Sequence, residues 1–462
     1  MKPKYFLALG LLVLGLGSCG ESFFEQYPSN NITEGNFYKT DDDFNQGVVA
    51  CYAKLKTQMS FHLTEIGYRG DENVLESMAV STQNRYDIDH FAETANNGIL
   101  NDIWNAWYNG IYRCNDVLDH MTGAKIANYD KYRGECLFLR SWWYFNLYRV
   151  FGVVPITRTV VTPAAAKLIP RCTEEEMYTL LTEDLAEAAR LLPPTPGPEK
   201  ARVANIAAYT LLAKVYLTFG KPAEAKTALE EAMKNTSYGL ESTTKKVFDV
   251  GNKMNREIIF ALYYNKTNDN GHGYWYSANT DVLADINNPT PTFKAIYDSE
   301  KDNRLPLISS YTKIKDNLFA MTKWYDTYDA TYTTQVGNDF PHLRYADVVL
   351  MYAEALAESG GSLGDALEWL NKTRTRAGLD ELTTDEVKSL AEFRRELAAE
   401  RGREFALEGH RWFDLVRLGL AVDYFREMGY SLDSHNLTFP IPQNQIEIVN
   451  NPSILWQNPG FN

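Results

Sequence analysis

The chain has 462 residues and a formal net charge of -14, which excludes a cationic face of the kind that nucleic-acid phosphates require. Aromatics make up 13% of it, including 29 tyrosines and 9 tryptophans, a composition suited to neutral polar ligands whose rings stack on aromatic faces. No HExxH or CxxC occurs, so neither metal nor cofactor is expected.

In chain order, Lys2 and Lys4 precede an uncharged apolar run from Tyr5 to Gly17. The run is too short for a bilayer core, which needs about 20 apolar residues, and reads as an export signal over residues 1–18. It ends in Leu16-Gly17-Ser18-Cys19, which resembles a bacterial lipobox, so Cys19 is the expected lipid-attachment residue and new N-terminus. That use leaves Cys51, Cys114, Cys136 and Cys172, three of them in apolar helical patterns. Buried free thiols are expected there, with disulfides left open.

Helical periodicity then dominates. It predicts helices over Asp43–Met59, Asn101–Thr122, Tyr129–Val150, Glu174–Leu192, Val203–Phe219, Pro222–Lys234, Leu343–Ser359, Leu363–Ala377 and Asp385–Gly409. Asp41-Asp42-Asp43 is expected to cap the first of these rather than to bind calcium. Thr173 and Glu176 form a capping box, and Pro193-Pro194 stops the helix that follows it. Trp142-Trp143-Tyr144 lies inside a helix and is assigned to the core.

Tyr209, Leu212, Ala213 and Tyr216, followed by Ala225, Leu229 and Ala232, keep the tetratricopeptide spacing. A weaker copy is Val349, Tyr352, Ala353 and Leu356, then Ala366 and Leu370. Long insertions separate the two, so the pattern is not a tandem array. The stretch Leu63–Leu100 is irregular, while Phe260–Tyr276 and Met321–Thr334 crowd Tyr, Trp and Asn without a helical period. Loops of this kind on a rigid scaffold commonly carry recognition.

Glu396, Glu400, Glu404 and Glu408 fall every four residues and form one row on a helix. Arg403, Arg401 and Arg411 each lie three residues from one of them, with Arg344 or Arg376 available from other helices. A neutralised row is a poor arrangement for a glycosidase, whose two carboxyls face each other across a substrate. It is therefore assigned to the scaffold, with Trp412, Phe413 and Leu415 docking a following helix into the core. The candidate ligand-binding residues are Tyr274, Trp275, Tyr276, Trp324 and Tyr325, with Asn84, Arg85, Tyr86 and Asp71 as further candidates from the earlier insertion.

These segments together resemble one known family. Trp104-Asn105-Ala106-Trp107-Tyr108 running to Asn115, Glu135-Cys136-Leu137-Phe138-Leu139-Arg140-Ser141 running to Pro155, and Arg344-Tyr345-Ala346-Asp347 running to Ala355 are similar to segments of RagB/SusD outer-membrane lipoproteins of Bacteroidetes. So are Glu404-Phe405-Ala406-Leu407-Glu408-Gly409-His410-Arg411-Trp412 and the tail Gln457-Asn458-Pro459-Gly460. The resemblance implies a mainly α fold: tetratricopeptide-like helix pairs in a right-handed superhelical scaffold, long irregular ligand-facing insertions and a few short strands. It implies one integrated fold, with an N-terminal region over 19–235 and a C-terminal region over 236–462. It further implies a lipid-anchored protein on the cell exterior that passes an oligosaccharide, or in some members a peptide, to a TonB-dependent (SusC-like) transporter, and that binds without doing chemistry. Ligand-site residues vary within the family, so none carries over.

Overall fold

The computed structural model describes residues 37–67, 69–72, 83–197, 199–265, 277–279, 289–315, 318–326 and 337–461. Its first half holds α1 (Asp41–Gly67), α2 (Gln83–Asp89), α3 (Gly98–Met121), α4 (Tyr129–Phe151), α5 (Pro163–Ala166), α6 (Glu174–Leu191), α7 (Asn205–Thr218) and α8 (Pro222–Met233). Short helices α9 (Thr244–Val247), α10 (Pro291–Lys294) and α11 (Leu305–Ser309) follow. The chain ends with α12 (Tyr345–Glu358), α13 (Leu363–Arg376), α14 (Leu390–Glu404), α15 (Arg411–Arg417), α16 (Ala421–Glu427) and α17 (Gln443–Val449). The fold is mainly α, as expected.

Helix ends follow local chemistry. The Thr173 hydroxyl accepts from Glu176 N at 3.1 Å, and Glu176 accepts from Thr173 N at 2.7 Å, closing the expected capping box. At α1, Asp43 accepts from the backbone N–H groups of Lys39 and Thr40, while Asp41 reaches Asn128 and Tyr132. The acidic run is thus a cap and a tether to α4. Three boundaries differ from expectation by more than three residues. Helix α1 continues past Met59 to Gly67 because Leu63 and Ile66 are buried. Helix α14 starts at Leu390 rather than Asp385, because Ser389 and Glu392 form their own capping box. It ends at Glu404 rather than Gly409, where Leu407 and Gly409 take positive φ, so Glu408 lies in the turn after the helix and not on it.

The long helices pack in a chain of neighbours: α3 on α4, α4 on α6, α6 on α7, α7 on α8, α8 on α12, α12 on α13 and α13 on α14. The two tetratricopeptide-like pairs, α7/α8 and α12/α13, are therefore adjacent in space although distant in sequence. Buried alanines at the repeat positions, Ala213, Ala225, Ala353 and Ala366, let the backbones approach closely. Helix α4 is buried along almost its whole length, including Trp142, Trp143 and Tyr144. One hydrophobic core runs from Phe44 to Leu455, and Cys51, Cys114, Cys136 and Cys172 are buried free thiols.

The crossing of α3 and α4 depends on Gly110. A Cβ there would fall 2.2 Å from Trp143 Cε2. Gly110→Ala is expected to destabilise the fold by about 1–3 kcal/mol, even though alanine gains up to about 1 kcal/mol in helix propensity. An unchanged urea midpoint would show that the indole can turn aside at no cost.

Strands β1 (Ile258–Leu262), β2 (Ser277–Asn279), β3 (Tyr311–Lys315), β4 (Leu318–Met321) and β5 (Phe340–Arg344) form two small antiparallel sheets. One is the pair β1–β5 and the other has the order β2–β4–β3. Strands β1 and β5 are buried throughout, which explains the continuous apolar run of β1, while β5 also buries the polar His342 and Arg344. Strand β5 leads directly into α12 through Arg344.

Candidate functional site

A dense cluster of buried charge surrounds Arg344. Its guanidinium donates to Glu408 Oε2 at 2.9 Å, Glu257 Oε1 at 2.7 Å and Glu404 Oε1 at 2.6 Å. Arg304 holds Asp302, Glu400 and Glu404 at 2.8–3.0 Å, Arg376 pairs with Glu257 and Glu404, and Lys323 meets Glu408 at 2.7 Å. Burial alone would raise the Glu404 carboxyl, but the guanidiniums of Arg376, Arg344 and Arg304 outweigh it and hold the group well below the usual carboxylate range. Glu400, Glu404 and Glu408 are all buried, so this row braces α14 against β5, α13 and the segment before α11.

The expected neutralisation is present, but two of the expected partners are not. Arg403 does pair with Glu400 at 3.1 Å. Arg401 instead spans Asp347 at 2.9 Å and Asp414 at 2.7 Å, and Arg411 grips Asp71 at 2.9 and 3.2 Å. Spacing along one helix offers nearby cations; the carboxylates brought up by α12, α15 and residues 69–72 decide which way each arginine turns.

Two candidate ligand residues are corrected. Asp71 is buried, held by Arg411 and by the Tyr424 hydroxyl at 2.5 Å. Burial and these three hydrogen bonds make it a brace rather than a ligand contact. Trp324 is 0% exposed and lies against Phe248 and Phe340, with ring centroids 5.1 and 6.2 Å away. A tryptophan in an aperiodic stretch looked exposed, yet Phe248 and Phe340, which come from other parts of the chain, cover it. Tyr274, Trp275 and Tyr276 lie outside the described residues, as does Cys19.

The remaining candidates sit at the surface. Asn84, Arg85 and Tyr86 are on α2. Asn84 is exposed, Arg85 reaches Glu65 at 3.3 Å, and the Tyr86 ring stacks on His90 at 3.8 Å. Tyr325 is half-buried, where the chain leaves the short 3-10 turn ending at Trp324.

The structure also brings together the stems of the two aromatic insertions. Leu262 pairs with Phe340, Tyr264 N donates to Asp339 Oδ1 at 2.9 Å, and Gly337 N donates to Asp326 Oδ2 at 2.9 Å. Lys253 ties the stems with bonds to the carbonyls of Tyr264 and Gly337 and an ion pair with Asp339 at 2.7 Å. The described stems of the two insertions, at Tyr264 and at Asp326 and Gly337, therefore lie side by side on the scaffold. At this root Tyr263 is 45% exposed, with Lys253 Nζ 4.0 Å from its ring centre. It was not among the candidates, although it lies within the aromatic stretch that signalled them.

A second surface feature had no aperiodic signal. A groove of about 390 Å³ runs between α3, α5 and α17, with Trp104, Tyr108 and Tyr112 along one side. Tyr112 is 50% exposed, and Asn105 and Gln445 meet across it at 3.1 Å. Its aromatic spacing of four residues reads as an ordinary core face, and only tertiary packing leaves Tyr112 open. Among the described residues no helix is long and apolar enough to cross a membrane, and no acidic, histidine or cysteine group is arranged to hold a metal.

Comparisons with known proteins agree with this architecture. Residues 303–461 match a family model described as the SusD family, and residues 27–217 match one described as starch-binding associating with outer membrane. The chain is 25% identical to the SusD-like protein P2 of Formosa agariphila, over 99% of this chain and 100% of that one. It is 32% identical to the starch-binding protein SusD of Bacteroides thetaiotaomicron over 154 residues, 31% of this chain and 26% of that one. A solved laminarin-binding SusD-like protein shares the fold with a TM-score of 0.76 at 24% identity, covering 92% of this chain and 100% of the other.

Proposed function

The chain belongs to the RagB/SusD family, and from that premise we propose that it is a surface lipoprotein that binds oligosaccharide for a TonB-dependent transporter. The observation that carries the binding half is the convergence of the insertion stems at Tyr264, Asp326 and Asp339. Two aromatic-rich segments with neighbouring roots are proposed to form a single surface, and flat aromatic faces suit sugar rings. Tyr274, Trp275 and Tyr276 are proposed to stack on the ligand, with Tyr263 and Tyr325 at the root. Asn84, Arg85 and Tyr86 are proposed to contribute polar and aromatic contacts from α2. Relatives named for starch and laminarin support saccharide over other ligands.

The anchoring and delivery half rests on Cys19 and on the family's character. In it, the lipid holds the chain at the outer membrane with its ligand face toward the transporter mouth.

Isothermal calorimetry against a panel of neutral glycans, laminarin included, tests the binding half. One panel member is expected to bind, and Trp275→Ala is expected to weaken that binding about tenfold. Retention of full affinity in both Trp275→Ala and Tyr274→Ala would refute the stacking assignment. A response to peptides with none to glycans would replace saccharide by peptide. Co-purification with a transporter from native membranes, lost in Cys19→Ala, tests the anchor.

A further inference from the structure

A cavity apart from the proposed glycan surface opens between the C-terminal turn of α4, α7 and α15. It measures about 280 Å³, several times the roughly 30 Å³ share of one water molecule. Arg149, Lys214, His410, Arg417 and Asp414 line it, with half-exposed Thr438 at the mouth.

The charge in this wall does not balance. Asp347 is engaged by Lys214 and Arg401, Asp414 by Arg401 and Arg417, and Glu354 by Arg417. Arg149 is a fourth cation beside these three carboxylates, and among the described residues none of them pairs with it. Its Nη2 donates to the neutral Asn146 amide, and its buried Nε has no hydrogen-bond partner. The guanidinium plane is fixed by stacking, with its carbon 3.9 Å from the Phe413 ring centre and 4.7 Å from that of Phe145. Burial pulls Arg149 down to about 9, and it pulls Lys214 down to about 8 although Asp347 partly offsets the effect. Burial also keeps His410 neutral, so it adds no charge.

A fixed, planar, unmatched guanidinium facing a solvent-reachable cavity is the arrangement that recognises two oxygens of one anion. We propose that this cavity is an oxyanion site, taking a carboxylate, sulfate or phosphate group with Arg149 as its principal ligand. The group is either a free ion or the charged substituent of a saccharide, since the volume admits more than the anion alone. This site stands whether or not the aromatic surface binds glycans.

The test uses thermal unfolding and calorimetry of the mature chain in sulfate, phosphate and chloride at matched ionic strength. Glucuronate against glucose separates a charged sugar from a free ion. Sulfate is expected to raise the midpoint above that in chloride, and Arg149→Met, which keeps the packing between the two phenyl rings, is expected to remove that rise. The dissociation constant should weaken by about tenfold or more, as expected for loss of a charge-assisted hydrogen bond. Sulfate stabilises many proteins by exclusion from their surface, so an equal rise in wild type and Arg149→Met would overturn the site. So would no response to any anion. Should Arg149→Met fail to fold, Thr438→Glu serves instead, because a carboxylate at the mouth should compete with sulfate and abolish the response. A response unchanged in Thr438→Glu would likewise overturn the site. Glucuronate binding tighter than sulfate identifies a charged sugar, and sulfate binding tighter identifies a free ion.

Discussion

Replacing Arg344 with methionine is expected to destabilise the protein by about 3–5 kcal/mol, the usual consequence of stripping one partner from a buried ion cluster. Arg344 alone touches all three of Glu257, Glu404 and Glu408, which come from the turn before β1, from α14 and from the turn after α14. Methionine fills a similar volume, so the loss comes from uncompensated charge rather than from a cavity. Arg304, Arg376 and Lys323 remain to hold the carboxylates in part, which limits the damage. The exposed pair Arg158–Glu183 is the control. Its N–O distance is 2.7 Å, the same as that of Arg344 to Glu257. Solvent screens it, and Arg158→Met is expected to cost less than about 1 kcal/mol. Urea midpoints of the two variants measure the difference. Equal small effects would mean that water enters the Arg344 cluster.

Trp324→Ala is expected to cost about 3–5 kcal/mol of stability, the range for truncating a large buried aromatic. The ring fills space between Phe248 and Phe340 beneath the insertion stems. On the folded fraction, its effect on glycan affinity should be small beside that of Trp275→Ala, because no solvent-facing atom is removed. Calorimetry at low temperature, where the variant remains folded, separates the two effects. A Trp324→Ala protein of normal stability that fails to bind would restore Trp324 to the binding site and overturn its placement in the core.

These two residues show where local pattern informs and where it stops. Arg344 was available to the glutamate row from sequence, because carboxylates every four residues on one helix must find cations. The identity of each partner was not available. Arg401 and Arg411 sit close to Glu404 and Glu408 along the chain, yet they turn to Asp347, Asp414 and Asp71. A side chain with several rotatable bonds follows the deepest unpaired carboxylate, and that is set by the neighbouring helices. Trp324 was misassigned because burial in an aperiodic stretch leaves no periodic trace. Tyr112 shows the converse: its spacing along α3 is that of a core face, but the packing around the α17 groove leaves it exposed.

The sequence by itself determined the helices of the scaffold, the Thr173 capping box, the repeat-like pairs, the family and the scaffold role of the glutamate row. Each follows from interactions between residues near in the chain, or from an ordered series of segments. Only the tertiary structure decided that α7/α8 stacks on α12/α13, that the described stems of the two aromatic insertions meet, and that among the described residues no carboxylate pairs with Arg149. Those are relations between residues far apart in sequence, set by how buried surfaces fit together, and no local spacing encodes them.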